Sequence, residues 1–275
     1  MPELTRPDGT RIHYEVQGGE GPSVVLASYW SWSPGIYREL FSELSADHRV
    51  VTYHLRGSGD SSREGPFDIE TDTGDLEAVT EAAGGAAVLL GTADGANRAA
   101  KLAARRPDLV GAVACFGAAP FAREAFEGEE GMVASDTVVD AFVETLETNF
   151  RGAMRNFMTV TNPQMSEDEL RDRVAAQEEF CAQEPTVARL RSWIADDPRP
   201  ESKALGGRLW VFTAASVAGP WLPPSEAVDR LTRETMPEAN LTNIEPGPIS
   251  APKETAEAIR RVAASLWRGA ATKRK

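Results

Sequence analysis

The chain has 275 residues, 41% of them hydrophobic, which is enough apolar material to bury a full core in one α/β unit. A formal net charge of −13 argues against nucleic-acid phosphates and anionic membrane surfaces as partners, and reads first as a solubility trait. No charged and apolar leader opens the sequence, and no apolar run approaches the roughly 18 residues of a membrane span, so a cytoplasmic protein is expected.

Ile12, Tyr14 and Val16 alternate with Arg11, His13 and Glu15. This is the pattern of a half-buried strand and places His13 on the solvent face. The turn Gly18-Gly19-Glu20-Gly21-Pro22 leads into Val24-Val25-Leu26-Ala27, a continuous apolar run expected of a buried central strand. A helical stretch over 37–44 precedes a third strand over 49–54, with His48 expected at the surface in the turn between them. The strand-like run 86–90 enters a turn of small residues, Gly91-Thr92-Ala93-Asp94-Gly95, and the helix that follows stops at Pro107. Another strand is expected over 109–116. Alternation of this kind implies a mostly parallel sheet with right-handed crossovers.

Strand signals vanish over 121–200. Val138, Val139, Phe142, Val143 and Leu146 recur at helical spacing, as do Met154, Phe157 and Met158, and Ser166 with Glu169 forms a capping box before Leu170 and Val174. Strands resume at Leu209-Trp210-Val211-Phe212 and over 240–244, and a closing amphipathic helix carries Ala256, Ile259, Val262 and Leu266. The expected organisation is one core, residues 1–120 and 201–275, with a helical cap inserted at 121–200. Cys115 and Cys181 have no histidine or second cysteine nearby and read as buried filler rather than a disulfide. Lys273-Arg274-Lys275 reads as a frayed tail.

Several segments together carry a family resemblance: Asp8-Gly9-Thr10 opening a strand, Leu55-Arg56-Gly57-Ser58-Gly59-Asp60-Ser61 after another, the strand–turn–helix around Ala93, and the loop Gly219-Pro220-Trp221-Leu222-Pro223-Pro224. In this phrasing the chain resembles the α/β-hydrolase superfamily over nearly its whole length. The resemblance implies an α/β-hydrolase fold, a mostly parallel central sheet flanked by helices. It also implies where a catalytic triad would stand, and there the residues are wrong. Ala93 occupies the nucleophile position, Gly219 the acid position, and Pro248 or Ile249 the histidine position. A triad needs a base to take the nucleophile's proton and a carboxylate to orient that base, and all three roles are vacant. Ser28-Tyr29-Trp30 stands where the family usually has His-Gly, although the backbone N–H groups of Tyr29 and Asp94 survive side-chain changes.

Two groups remain as alternative chemistry. His54 is either a structural histidine holding the glycine loop behind it or the one imidazole near the carboxyl edge of the sheet, a possible base. Asp94 is either a first-turn carboxylate favoured by the helix dipole or, with the frame slid by one, a nucleophile as in aspartate-using dehalogenase relatives. The spacing to Pro107 fits Ala93 better. Trp30 and Trp221 border the vacated loops, as packing or as pocket lining, and Ser28, Tyr29, Ala93, Asp94, Phe116, Pro248 and Ile249 complete the expected substrate-binding set. No metal constellation is apparent, no dinucleotide fingerprint is present, and no cofactor is expected.

The vacated pattern is similar to the atypical epimerases of ribosomally made peptide natural products, typified by the bottromycin aspartate epimerase. That similarity implies inversion of an aspartyl Cα beside a thiazoline, the substrate's own carboxylate assisting, with a small molecule or modified peptide as partner. A ligand-binding protein without turnover, or a residual hydrolase using Asp94 and His54, are the alternatives.

Overall fold

Apolar strands set the architecture. The computed structural model describes residues 2–116, 121, 136–161, 164–213, 225–244 and 251–272. Its strands are β1 (Glu3–Thr5), β2 (Arg11–Gln17), β3 (Ser23–Ala27), β4 (Arg49–Tyr53), β5 (Ala86–Thr92), β6 (Val110–Phe116), β7 (Leu209–Thr213) and β8 (Asn240–Asn243). They pair into one sheet in the order β1-β2-β4-β3-β5-β6-β7-β8. The β1–β2 and β2–β4 pairs are antiparallel, and every other pair is parallel. The helices are α1 (Arg38–Leu44), α2 (Ile69–Ala82), α3 (Asp94–Arg105), α4 (Asp136–Thr148), α5 (Phe150–Thr161), α6 (Glu167–Phe180), α7 (Gln183–Ile194), α8 (Arg199–Leu205), α9 (Ser225–Thr235) and α10 (Pro252–Thr272).

The unbroken apolar runs follow from a sheet covered on both faces. Val25, Ala27, Val51, Leu89, Val113 and Val211 pack on one face with residues of α2 and α3 such as Leu76, Val79, Ala99 and Leu102. Their chain neighbours Val24, Leu26, Val50, Val88, Leu90 and Ala112 point the other way, onto Leu40 and Phe41 of α1 and Ile259 and Val262 of α10. Each fully buried aliphatic side chain contributes roughly 1.5–3 kcal/mol, so the central strands are the main apolar store of the fold.

Between β6 and β7 the described chain is helical. Leu146, Met154, Met158, Leu170, Val174 and Leu190 from α4 to α7 form a third apolar cluster, and Trp30 of the loop after β3 packs into it. The capping box is present: Ser166 accepts from the Glu169 N–H, and Glu169 accepts from the Ser166 N–H at 2.9 Å. Helix α8 packs on α3. Among the described residues no helix is long and apolar enough to cross a membrane.

Two histidines differ from the sequence expectation. His13 is 2% exposed rather than on a solvent face, while Val16 of the supposed inner face is 40% exposed. The burial of His13 has a local cause. The loop after β4 runs along the edge of β2, where Ser61 Oγ and Ser62 Oγ accept from the His13 and Arg11 N–H groups, each at 3.0 Å, and brings the His54 ring against that of His13 at 4.8 Å between centroids. His48 is also buried, its Nδ1 lying 2.9 Å from Asp47 Oδ1, because the glycine turn before β3 lies against its backbone.

Candidate active site

The centre of the site is the junction of β5 and α3. Ala93 adopts φ 47° and ψ −129°, and it is the one non-glycine with positive φ among the described residues. A side-chain-bearing residue in such a conformation stores roughly 1–3 kcal/mol of strain, which persists only where the surroundings impose it. Here they do. A Cβ on Gly95 would lie 2.1 Å from the Ala27 carbonyl oxygen, and one on Gly91 would lie 2.7 Å from the Ala96 Cα, so helix and strands approach to backbone contact. The strained turn therefore falls on Ala93 itself rather than on Asp94. Ala93→Gly is expected to raise unfolding free energy by about 1 kcal/mol, since strain relief outweighs the added chain entropy. Thermal unfolding of the two proteins checks this.

Asp94 follows at the first turn of α3, wholly buried rather than at an exposed helix start. Both its oxygens are committed. Oδ1 accepts from the Trp30 N–H at 2.9 Å, and Oδ2 accepts from Arg98 Nη1 at 2.6 Å. Burial pushes the Asp94 carboxyl above the usual carboxylate range, opposed by the Arg98 charge and the Trp30 N–H. Arg98 also donates to the Ser28 carbonyl, and Ser28 Oγ donates to the Tyr53 carbonyl at 2.9 Å. The loop Ser28-Tyr29-Trp30 is thus clamped from both sides by one ion pair. The backbone N–H groups of Tyr29 and Asp94 flank this clamp and have no hydrogen-bond partner among the described residues.

The clamp extends toward α7. Arg98 Nη1 lies 3.4 Å from Asp72 Oδ2, and the same oxygen accepts from Arg189 Nε of α7 at 2.6 Å. Arg189 also donates to the Arg56 carbonyl, and Arg56 makes a two-pronged pair with Asp75 at 2.7 and 2.8 Å. Sequence reasoning missed these buried arginines; the one available signal was the four-residue spacing of Asp94 and Arg98. It also missed Tyr37, whose buried hydroxyl donates to Thr92 Oγ1 at 3.2 Å beside the elbow, with burial pushing its pKa up to about 12.

The other expected site residues fall as follows. Trp30 is buried edge-on against Phe157 of α5, and Tyr29 stacks on Trp32, which in turn meets Phe157. Phe116 lies opposite Thr92 in the sheet register and stacks on Phe212 at 4.7 Å between ring centroids. Gly219, Trp221, Pro248 and Ile249 lie outside the described residues. The chain has no histidine after His54, so the segments following β7 and β8 contain none. His54 touches neither Ala93 nor Asp94 in any described contact. Its Nδ1 accepts from the Asp60 N–H at 3.0 Å, and its ring meets those of His13 and Phe180. Burial and the neighbouring His13 both lower its pKa. The fold brings His13, His54 and Asp60 together with potential ligand atoms all within 4.8 Å, a grouping that the sequence spacing gave no sign of.

A family model described as the alpha/beta hydrolase fold matches residues 17–176. The polyketide synthase ThaQ of Burkholderia thailandensis is 35% identical over 106 residues, which are 38% of this chain and 5% of that protein. An esterase from Exiguobacterium antarcticum superposes with a TM-score of 0.78 at 17% identity, covering 95% of this chain and 98% of its own. The bottromycin epimerase BotH, in complex with bottromycin A2, superposes with a TM-score of 0.68 at 22% identity, covering 96% and 98%. The matched span runs from the end of β2 through the elbow and into α6, and the chain belongs to the alpha/beta hydrolase fold family.

Proposed function

We propose that this chain is a non-hydrolytic, cofactor-independent enzyme of peptide natural-product biosynthesis that epimerises an aspartyl Cα beside a thiazoline. The observation that carries the reading is Ala93: the strained elbow is kept while the side chain it would present is a methyl group. A methyl group cannot attack a carbonyl, and the adjacent carboxylate, Asp94, is spent on Trp30 and Arg98. In this reading reactivity comes from the guest.

In a dry apolar cleft a substrate carboxylate is hard to keep charged, so its pKa rises toward neutrality and it becomes a competent proton carrier. The aspartyl carboxylate takes the Cα proton, and the electron pair left on carbon delocalises into the adjacent C=N of the thiazoline. Return of a proton to the opposite face completes inversion with no net change in composition. The Tyr29 and Asp94 N–H groups are the protein's donors for the charge that develops, held by the clamp before the substrate arrives. The protein adds orientation and exclusion of water. The likeness to a bottromycin epimerase and to part of a polyketide synthase supports a natural-product setting.

Incubating a thiazoline-bearing aspartyl peptide with the protein in heavy water is expected to place one deuterium at the aspartyl Cα, read by mass spectrometry. Absence of exchange removes the reading. Retention of unchanged peptide without exchange would instead identify a binding protein.

A further inference from the structure

His13 presents an unusual accounting problem. It is 2% exposed, yet its Nε2 has no hydrogen-bond partner among the described residues. A buried ring nitrogen left unpaired costs about 1–3 kcal/mol, so something is expected to meet it. Two carboxylates able to ligate a metal stand near that atom. Glu15 Oε1 lies 3.6 Å away and Asp60 Oδ2 lies 4.0 Å away. Asp60 Oδ2 is in turn 3.7 Å from His54 Nδ1, and the His13 and His54 rings are 4.8 Å apart between centroids.

Four-coordinate zinc with bonds of about 2.0–2.2 Å sets its ligand atoms about 3.4 Å from one another. The three imidazole–carboxylate separations exceed that by about 0.2–0.6 Å, and the ligand atoms of His13, His54 and Asp60 all lie within 4.8 Å of one another, so closing on an ion requires side-chain rotation, with Glu15 reached through His13. The donor set, two imidazoles with two carboxylates, suits zinc or cobalt rather than calcium or magnesium. We propose that His13 Nε2, His54 Nδ1, Glu15 Oε1 and Asp60 Oδ2 form a binding site for a divalent transition-metal ion of the zinc type. His54 Nδ1 exchanges the Asp60 N–H for the ion, and Arg63, the cation beside it, is already directed at the carbonyls of Gly57, Gly59 and Phe180.

Its role follows from where it sits. His13 and Glu15 belong to β2, and His54 and Asp60 to the loop after β4. That loop touches the end of α6: the Gly59 N–H donates to the Phe180 carbonyl at 2.7 Å, and the Phe180 ring meets His54 edge-on at 5.1 Å. A bound ion would pin the loop to the sheet and so steady the seat of α6. The site is separate from the elbow and independent of the epimerase reading.

The test uses the full chain, stripped with a chelator and titrated with Co2+ alone. The expected result is one Co2+ per chain with the visible absorption bands of a four-coordinate site, and a higher melting temperature with the ion than without it. Asp60→Asn, at an exposed side chain, is expected to keep the far-UV circular dichroism of the parent and weaken Co2+ by about tenfold or more, as is His54→Gln. His48→Gln, at a histidine outside the cluster, is expected to leave the affinity unchanged. No saturable binding tighter than about 1 mM overturns the proposal, as does binding that Asp60→Asn and His54→Gln leave intact or that His48→Gln abolishes.

Discussion

Replacing Arg98 with alanine is expected to lower the unfolding free energy by about 3–5 kcal/mol, because it leaves a buried carboxylate without its countercharge. Asp94 would retain only the Trp30 N–H, and the Ser28 carbonyl would lose its charged donor. Asp72 keeps Arg189, so the damage centres on Asp94. The sign of the pH dependence is fixed by that arrangement. Burial already raises the Asp94 carboxyl above its usual value of 3.8, and loss of Arg98 raises it further. Above that value the folded variant holds a proton that the unfolded chain releases, so its stability falls as pH rises through the window. The deficit relative to the parent should therefore shrink as pH is lowered toward the ordinary carboxylate range. Urea unfolding at two pH values measures it. Arg98→Met combined with Asp94→Asn, which removes both charges, should recover most of the loss. A deficit that does not change with pH would mean that Asp94 is not the stranded group.

Gly95→Ala is the second large effect. The added methyl would sit 2.1 Å from the Ala27 carbonyl oxygen and 3.3 Å from that of Ser28. Both are backbone atoms, so no side-chain rotation relieves the contact, and α3 must move away from β3. We expect a loss of about 3 kcal/mol or more, at the upper end of overpacking costs. Because the same displacement shifts Tyr29 relative to Asp94, proton exchange at the substrate Cα should fall with it. Gly19→Ala, where an added methyl meets nothing within 4 Å, serves as the control and should change stability by less than about 0.5 kcal/mol. Equal melting temperatures for the two variants would contradict the close helix–strand approach at the elbow.

Much of this fold could be read in the chain because its elements obey simple patterns. Val24 to Ala27 and the run into the elbow are apolar without interruption, and a strand covered on both faces needs just that. The capping box at Ser166 and the small-residue turn at Ala93 are local signals, written within a few residues. What escaped was non-local. Arg189 meets Asp72 across 117 residues, and a lone arginine on a helix looks like a solvated charge until the fold supplies its partner. Helix α2 escaped for a related reason, since its inward positions interleave Asp72, Thr73, Asp75 and Thr80 with Ile69, Leu76 and Val79, which blurs the apolar stripe. His13 was misplaced because alternation describes one strand, and a loop from elsewhere in the sequence brings the His54 ring against it. At the junction of β5 and α3 the turn of small residues was legible, and the clamp that holds its surroundings was not.

The outermost strands of the sheet carry a consequence for how copies of this chain behave toward one another. β1 spans Glu3–Thr5 and β8 spans Asn240–Asn243, both brief and rich in polar side chains. A margin built this way exposes few open backbone donors and acceptors, and so gives an incoming strand little to zip against. Crowded solutions of the folded protein should consequently resist fibril-type association through the sheet.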